Sequence, residues 1–189
     1  MRRNEKTDTL VLTALMTCLV CLATYAFKIP NPFTQGYVHV GDTFIFMSVL
    51  ILGKKNGAIA SSVGAALADI FGGYAIFAIG TFIAKGLMAF VMGLIIEKGW
   101  ESEQEHPDRK QIKILSLAPY ELLAMALGGL TEVIIYIFVN SMVDGNFTVG
   151  LLSIPGNSLQ FAVSMVIAVV LTHALLKTPA KRYFSFANK

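Results

Sequence analysis

The sequence predicts an all-α integral membrane protein of six transmembrane helices with both termini in the cytoplasm. Three observations lead there. Charged residues make up only 14% of the chain, against about 25% in soluble domains. Two stretches carry no Asp, Glu, Lys or Arg: Thr9–Phe27, 19 residues, and Gly145–Leu176, 32 residues, each long enough for the ~20 apolar residues that a bilayer core demands of a helix. The basic residues are also one-sided. With six spans, 13 of the 15 Lys and Arg share the side of the termini, leaving only Lys28 and Lys85 elsewhere, and the positive-inside rule makes that side cytoplasmic.

The elements follow in order. Helix one spans about 8–28 and reads as a retained helix, because its apolar run is long for a signal peptide and no small-residue cleavage site follows. Its C-L-V-C pair, Cys18 and Cys21, suits apolar packing better than redox or metal chemistry. Pro30 and Pro32 stop it, and Gly36 and Gly41 permit tight turns. Helix two, about 42–53, begins at Asp42, placed where an N-cap carboxylate is favourable. Its 12 residues reach only ~18 Å at the helical rise, so it starts in the outer interface or crosses a thinned bilayer. Helix three covers about 55–71 and helix four about 75–97. A charged connector, KGWESEQEHPDRK, fills 98–110. Helix five, about 117–142, starts with Pro119 and with Glu121 in a first turn whose dipole suits a carboxylate. Helix six is about 153–177, and the whole chain, 1–189, is one membrane domain in the cell membrane.

Polar groups stand out against this background. GYVHVGD, residues 36–42, falls on the outer side, with Tyr37 and His39 alternating with Val38 and Val40. It is either a plug over the outer helix ends or a lid over a pocket open to the outside. A charged side chain at mid-bilayer costs ~2.5–3.5 kcal/mol on insertion scales, so Lys85 and Glu132 need a reason. Each lies ten residues from an outer helix end, about 15 Å deep. They either pair with each other or face a polar ligand. Asn157 and Gln160, three residues apart at the start of helix six, share one face and offer both donors and acceptors. Asp69 near the outer end of helix three faces interfacial water or, alternatively, a site. In GAIASSVGAALAD two rows of small residues recur at four-residue spacing, as do Ala14 and Cys18 on helix one, which allows close helix approach or docking of another membrane protein.

The exclusions are as informative. There is no phosphate loop, no G-x-S-x-G, no H-E-x-x-H and no zinc-ligand spacing, so an ATPase of that type, a metal and a cofactor are not expected. Glutamates interleave the basic connector, which speaks against nucleic acid as a partner. An intramembrane enzyme using Glu132 and Lys85 as acid and base, and a non-catalytic membrane scaffold, stand as the other two readings.

GYVHVGD, LILGKKNGAIASSVGAALADIFGGY, FIAKGLMAFVMGLI and PGNSLQ, taken in this order, resemble the substrate-binding S components of energy-coupling factor (ECF) vitamin transporters, over about residues 8–177. More narrowly they are similar to the riboflavin-type branch, with its hydroxymethylpyrimidine and pyridoxine binders. The resemblance implies a six-helix bundle with a vitamin site near the extracellular face, covered by the loop between helices one and two. It assigns Tyr37, His39, Asp42, Lys85, Glu132, Asn157 and Gln160 to that site. It also implies partners: a transmembrane coupling subunit, docked on Ala14 and Cys18 of helix one, and two cytoplasmic ATPases. An acid and a base at one depth suit a small polar ring such as pyridoxine or hydroxymethylpyrimidine better than riboflavin, pantothenate or folate.

Overall fold

A computed structural model describes residues 5–106 and 113–184. Arg2, Arg3, Arg109, Lys110 and Lys189 of the basic side, and residues 107–110 of the connector, lie outside the described residues. Helix α1 runs Glu5–Ala26, strands β1 and β2 are Lys28–Pro30 and Tyr37–His39, and α2 runs Asp42–Phe71. A 3-10 turn at Ala75–Phe77 leads into α3, Ala78–Glu105. Then come α4 (Pro119–Asp144), the short α5 (Phe147–Leu152), α6 (Ile154–Leu176) and a 3-10 turn at Pro179–Tyr183. Among the described residues five helices are long and apolar enough to cross a membrane.

Two elements differ from expectation. Helix one ends at Ala26, and Lys28 starts a strand, because Pro30 and Pro32 favour extended backbone for the residues before them. The start of the charged connector is helical as far as Glu105, since Glu and Lys favour helix once a long helix already leads into them. The expected helices two and three are the two arms of α2, which part at Gly53 (φ 75°, ψ −175°), a region open essentially to glycine alone. The chain folds back there: the Cβ position of Gly57 lies 2.9 Å from Cα of Val49, whereas residues eight apart in a straight helix stand ~12 Å apart.

Small residues let the helices close up. Ala60, Gly64 and Ala68 are buried in the interface with α1, and a Cβ on Gly64 would sit 2.6 Å from the Thr17 carbonyl oxygen. Both small rows of α2 are thus consumed inside the chain. Gly64→Val is expected to push α1 off α2 and to cost about 1–3 kcal/mol, read as a lower unfolding midpoint in detergent. Hydroxyls satisfy themselves locally, as Thr13 donates to the Thr9 carbonyl at 2.7 Å and Ser61 to that of Gly57 at 2.7 Å.

The burial pattern is that of a protein dissolved in lipid. Outward faces carry Leu15, Leu22, Ile79, Phe82, Ile134 and Val166, all exposed, while the interior holds Met88, Met92 and Met125 together with Asp42, Lys85 and Glu132. Water would select against that jacket; a bilayer asks for it.

Candidate functional site

The site is assembled around the short hairpin. Lys28 pairs with His39, Ile29 with Val38 and Pro30 with Tyr37. Strand alternation turns Tyr37 and His39 to one face, with ring centroids 5.5 Å apart. The Tyr37 hydroxyl donates to Asp69 Oδ1 at 2.5 Å, tying the hairpin to the end of α2. Lys28 clamps the other edge: its ammonium lies 4.6 Å from the Tyr37 ring centroid, 5.0 Å from that of Tyr25 and 5.1 Å from that of Tyr74.

Beneath the hairpin lies a sealed ionic network. Lys85 on α3 donates to Asp42 Oδ1 at 2.6 Å and to Glu132 Oε1 on α4. All three side chains are fully buried. Gln160 on α6 completes it, its amide nitrogen donating to Asp42 Oδ2 and to Glu132 Oε1, both at 2.8 Å. The Gln160 oxygen is used as well, accepting from the His39 backbone N–H at 3.0 Å. Asp42 therefore does not cap its helix as expected: Gly41 holds the N-cap position without a side-chain bond, and the carboxylate is drawn inward by Lys85 and Gln160. Glu121 sits where expected, accepting the Ala118 N–H at 2.6 Å at the start of α4.

Between hairpin and network is a small polar cavity of about 30 Å³, open on one side. Of the seven residues assigned above to a site, Tyr37, His39, Asn157 and Gln160 line it, while Asp42, Lys85 and Glu132 lie below it in the sealed network. Gln160 belongs to both. Asp69, which could have faced interfacial water, is 3% exposed and forms part of the wall. Tyr136, Asn140 and Thr81 also line the cavity and escaped sequence reasoning. A signal was present: Tyr136 and Asn140 follow Glu132 by four and eight residues and Thr81 precedes Lys85 by four, so each continues the face of a charged residue. A wider hollow at the opposite end, between Trp100, Tyr120 and Phe184, contains none of the assigned residues. Ala14 and Cys18 are exposed on α1 and do not line the cavity.

His39 sets the pH behaviour of the hairpin. Burial pushes its imidazole down to about 3, against the pull of Asp42, so the ring is neutral at pH 7. Its Nδ1 accepts the Gly41 N–H at 3.0 Å, which leaves the proton on Nε2. An unfolded histidine takes up its proton near pH 6.5, so between about 6.5 and 3 the unfolded chain binds the extra proton. This contribution to stability is complete above pH 6.5 and lost as the pH falls through that window, by at most ~1.4 kcal/mol per pH unit. Melting midpoints in detergent from pH 7.5 to 5 are expected to drop more for the native chain than for His39→Gln, which keeps an acceptor and has no proton to gain.

Fold and cavity together define a class: an integral membrane protein that holds a polar site between its helices rather than at an aqueous surface. Residues 4–177 match the family model described as "ECF-type riboflavin transporter, S component", and the chain belongs to that family of ECF-type S components. Solved structures agree on the fold. The S component of a bacterial ECF transporter superposes with a TM-score of 0.67 at 17% identity, over 92% of this chain and 98% of that one. The S component for biotin from an ECF-type ABC transporter gives 0.68 at 21% identity, over 97% and 99%. An uncharacterized protein in the gap 3' region of Pyrococcus woesei is 36% identical over 74 residues, 39% of this chain; the chain spans 49% of that relative's length.

Proposed function

We propose that this chain captures a small B-group vitamin or precursor, pyridoxine or hydroxymethylpyrimidine before others, at the extracellular side for ATP-driven uptake. In this reading six segments cross the membrane, the two arms of α2 counting separately, and both termini are cytoplasmic. The observation that carries it is the cavity wall. It offers amides, hydroxyls and the rings of Tyr37, Phe77 and Tyr136, and no Lys or Arg is among its lining residues. Such a wall suits a small aromatic ring with hydroxymethyl or amino groups and disfavours the carboxylate tails of biotin, pantothenate or folate. Riboflavin, named in the family description, is the principal alternative and needs more room. Lys85 and Glu132 shape the floor instead of meeting the ligand, which also removes them as an acid–base pair acting on it.

The test is native mass spectrometry of the gently purified chain, followed by titration with pyridoxine, hydroxymethylpyrimidine, riboflavin and biotin. Stoichiometric, saturable binding of one of the first two is expected. Saturable binding of riboflavin or biotin instead would replace the substrate, and no binding of any vitamin would remove the reading.

Transport further requires a coupling subunit and two ATPases, and we place their contact on the outer face of α1 at Ala14 and Cys18. These two residues are exposed and small beside Leu10, Val11 and Leu15. Ala14→Trp with Cys18→Trp is expected to abolish co-purification with the coupling subunit while changing vitamin affinity less than about twofold, because helix faces apart from the site contribute independently. Retained assembly would refute that contact.

A further inference from the structure

Two of the cavity's lining residues, Asp69 and Asn157, carry a buried polar atom without a hydrogen-bond partner, alone among the described residues that line it. One is Oδ2 of Asp69, an acceptor; the other is Nδ2 of Asn157, a donor. Other polar groups of the wall have partners within the protein. Gln160 spends its amide on Asp42, Glu132 and His39, and Tyr136 and Thr81 share a hydroxyl contact of 2.9 Å. Asp69 is held rigidly, because Tyr37 fixes Oδ1 at 2.5 Å and Thr81 stands beside the same carboxylate. Leaving a buried carboxylate oxygen without a hydrogen bond is costly, and the Lys28 ammonium offsets its charge only through space.

We propose that Asp69 is the specificity-determining residue of the site, its free oxygen accepting an N–H or O–H from a weakly basic, nitrogen-containing aromatic ring. Asn157 donates to an acceptor on the same ligand. The proposal rests on the binding function above and adds its selection rule. A ligand must bring a donor to one wall and an acceptor to another, and an anion meets the Asp69 carboxylate at the first. An aminopyrimidine fits because it carries an amino donor beside ring-nitrogen acceptors.

The experiment uses the full chain in detergent and isothermal titration with 4-amino-5-hydroxymethyl-2-methylpyrimidine, its 4-methyl analogue, which cannot donate there, and pyridoxine. The native protein is expected to bind the amino compound or pyridoxine, and Asp69→Asn and Asp69→Ala to bind it at least about tenfold more weakly. The 4-methyl analogue is expected to bind the native protein at least about tenfold more weakly than the amino compound, a comparison that needs no variant and so holds even if one folds poorly. Riboflavin and biotin are titrated in parallel. If the native protein binds any of the vitamins but both Asp69 variants match it within about twofold, or the methyl and amino compounds bind alike, the role of Asp69 is overturned while the binding function stands. If the native protein binds none of them, both fall together.

Discussion

Lys85→Met is expected to be the most damaging single substitution in this protein. Lys85 is, among the described residues, the cation in contact with two fully buried carboxylates, Asp42 and Glu132. Removing it leaves like charges side by side in a site without water, and breaking a buried pair in this way costs about 3–5 kcal/mol. The variant should be recovered in low yield and melt well below the native chain. The cost arises from uncompensated charge and not from lost volume, since methionine nearly matches the lysine stem. Asp42→Asn and Glu132→Gln added to Lys85→Met should therefore restore much of the melting midpoint, because the triple variant leaves no charge in the network. If the triple variant melts no higher than the single one, charge compensation is not what the network supplies.

Gln160→Leu ranks second, and its effect falls on binding as well as on stability. The side chain bridges α6, the network and the hairpin through Asp42 Oδ2, Glu132 Oε1 and the His39 N–H. Leucine fills similar space but strands a backbone donor and a carboxylate oxygen, each worth about 1–3 kcal/mol when buried. It also unlatches β2 from α6, so the cavity loses a fixed roof. We expect vitamin affinity to fall by about a hundredfold, a loss near 2.7 kcal/mol, together with faster amide exchange at His39. Gln160→Glu separates the two effects. It can still accept from His39, yet it places a third carboxylate against Asp42 and Glu132 and so should be worse for stability than leucine. Native-like affinity in Gln160→Leu would mean that the hairpin is held by Tyr37 and Lys28 alone.

The two arms of the site differ in how far they could be read from the chain. Lys85 and Glu132 announced themselves as charges in apolar helices, and equal distance from the outer helix ends put them at one level. Their shared depth follows from two numbers, the helical rise and the bilayer thickness, but whether they pair or face a ligand does not. Asp42 did not announce its role. A carboxylate at a helix start is favoured for capping whether or not a lysine stands across the bundle, so local chemistry predicted the cap and the tertiary partner overrode it. Asp69 was ambiguous for a related reason: depth along one helix does not say whether a side chain faces lipid headgroups, water or a cavity. That depends on the hairpin, whose Tyr37 reaches it across 32 residues of sequence.

What the sequence determined by itself is the solvent and the rough positions of the helices, because both depend on short-range composition and on the length of apolar runs. The stop of α1 before the prolines and the break at Gly53 are local too, one set by ring sterics and the other by a backbone geometry that side chains forbid. Only the tertiary structure decided which polar residues meet. Gln160 touches His39, Asp42 and Glu132 at separations of 121, 118 and 28 residues, and no local propensity encodes such contacts. They form because buried polar groups in an apolar bundle have no water to turn to and must find one another.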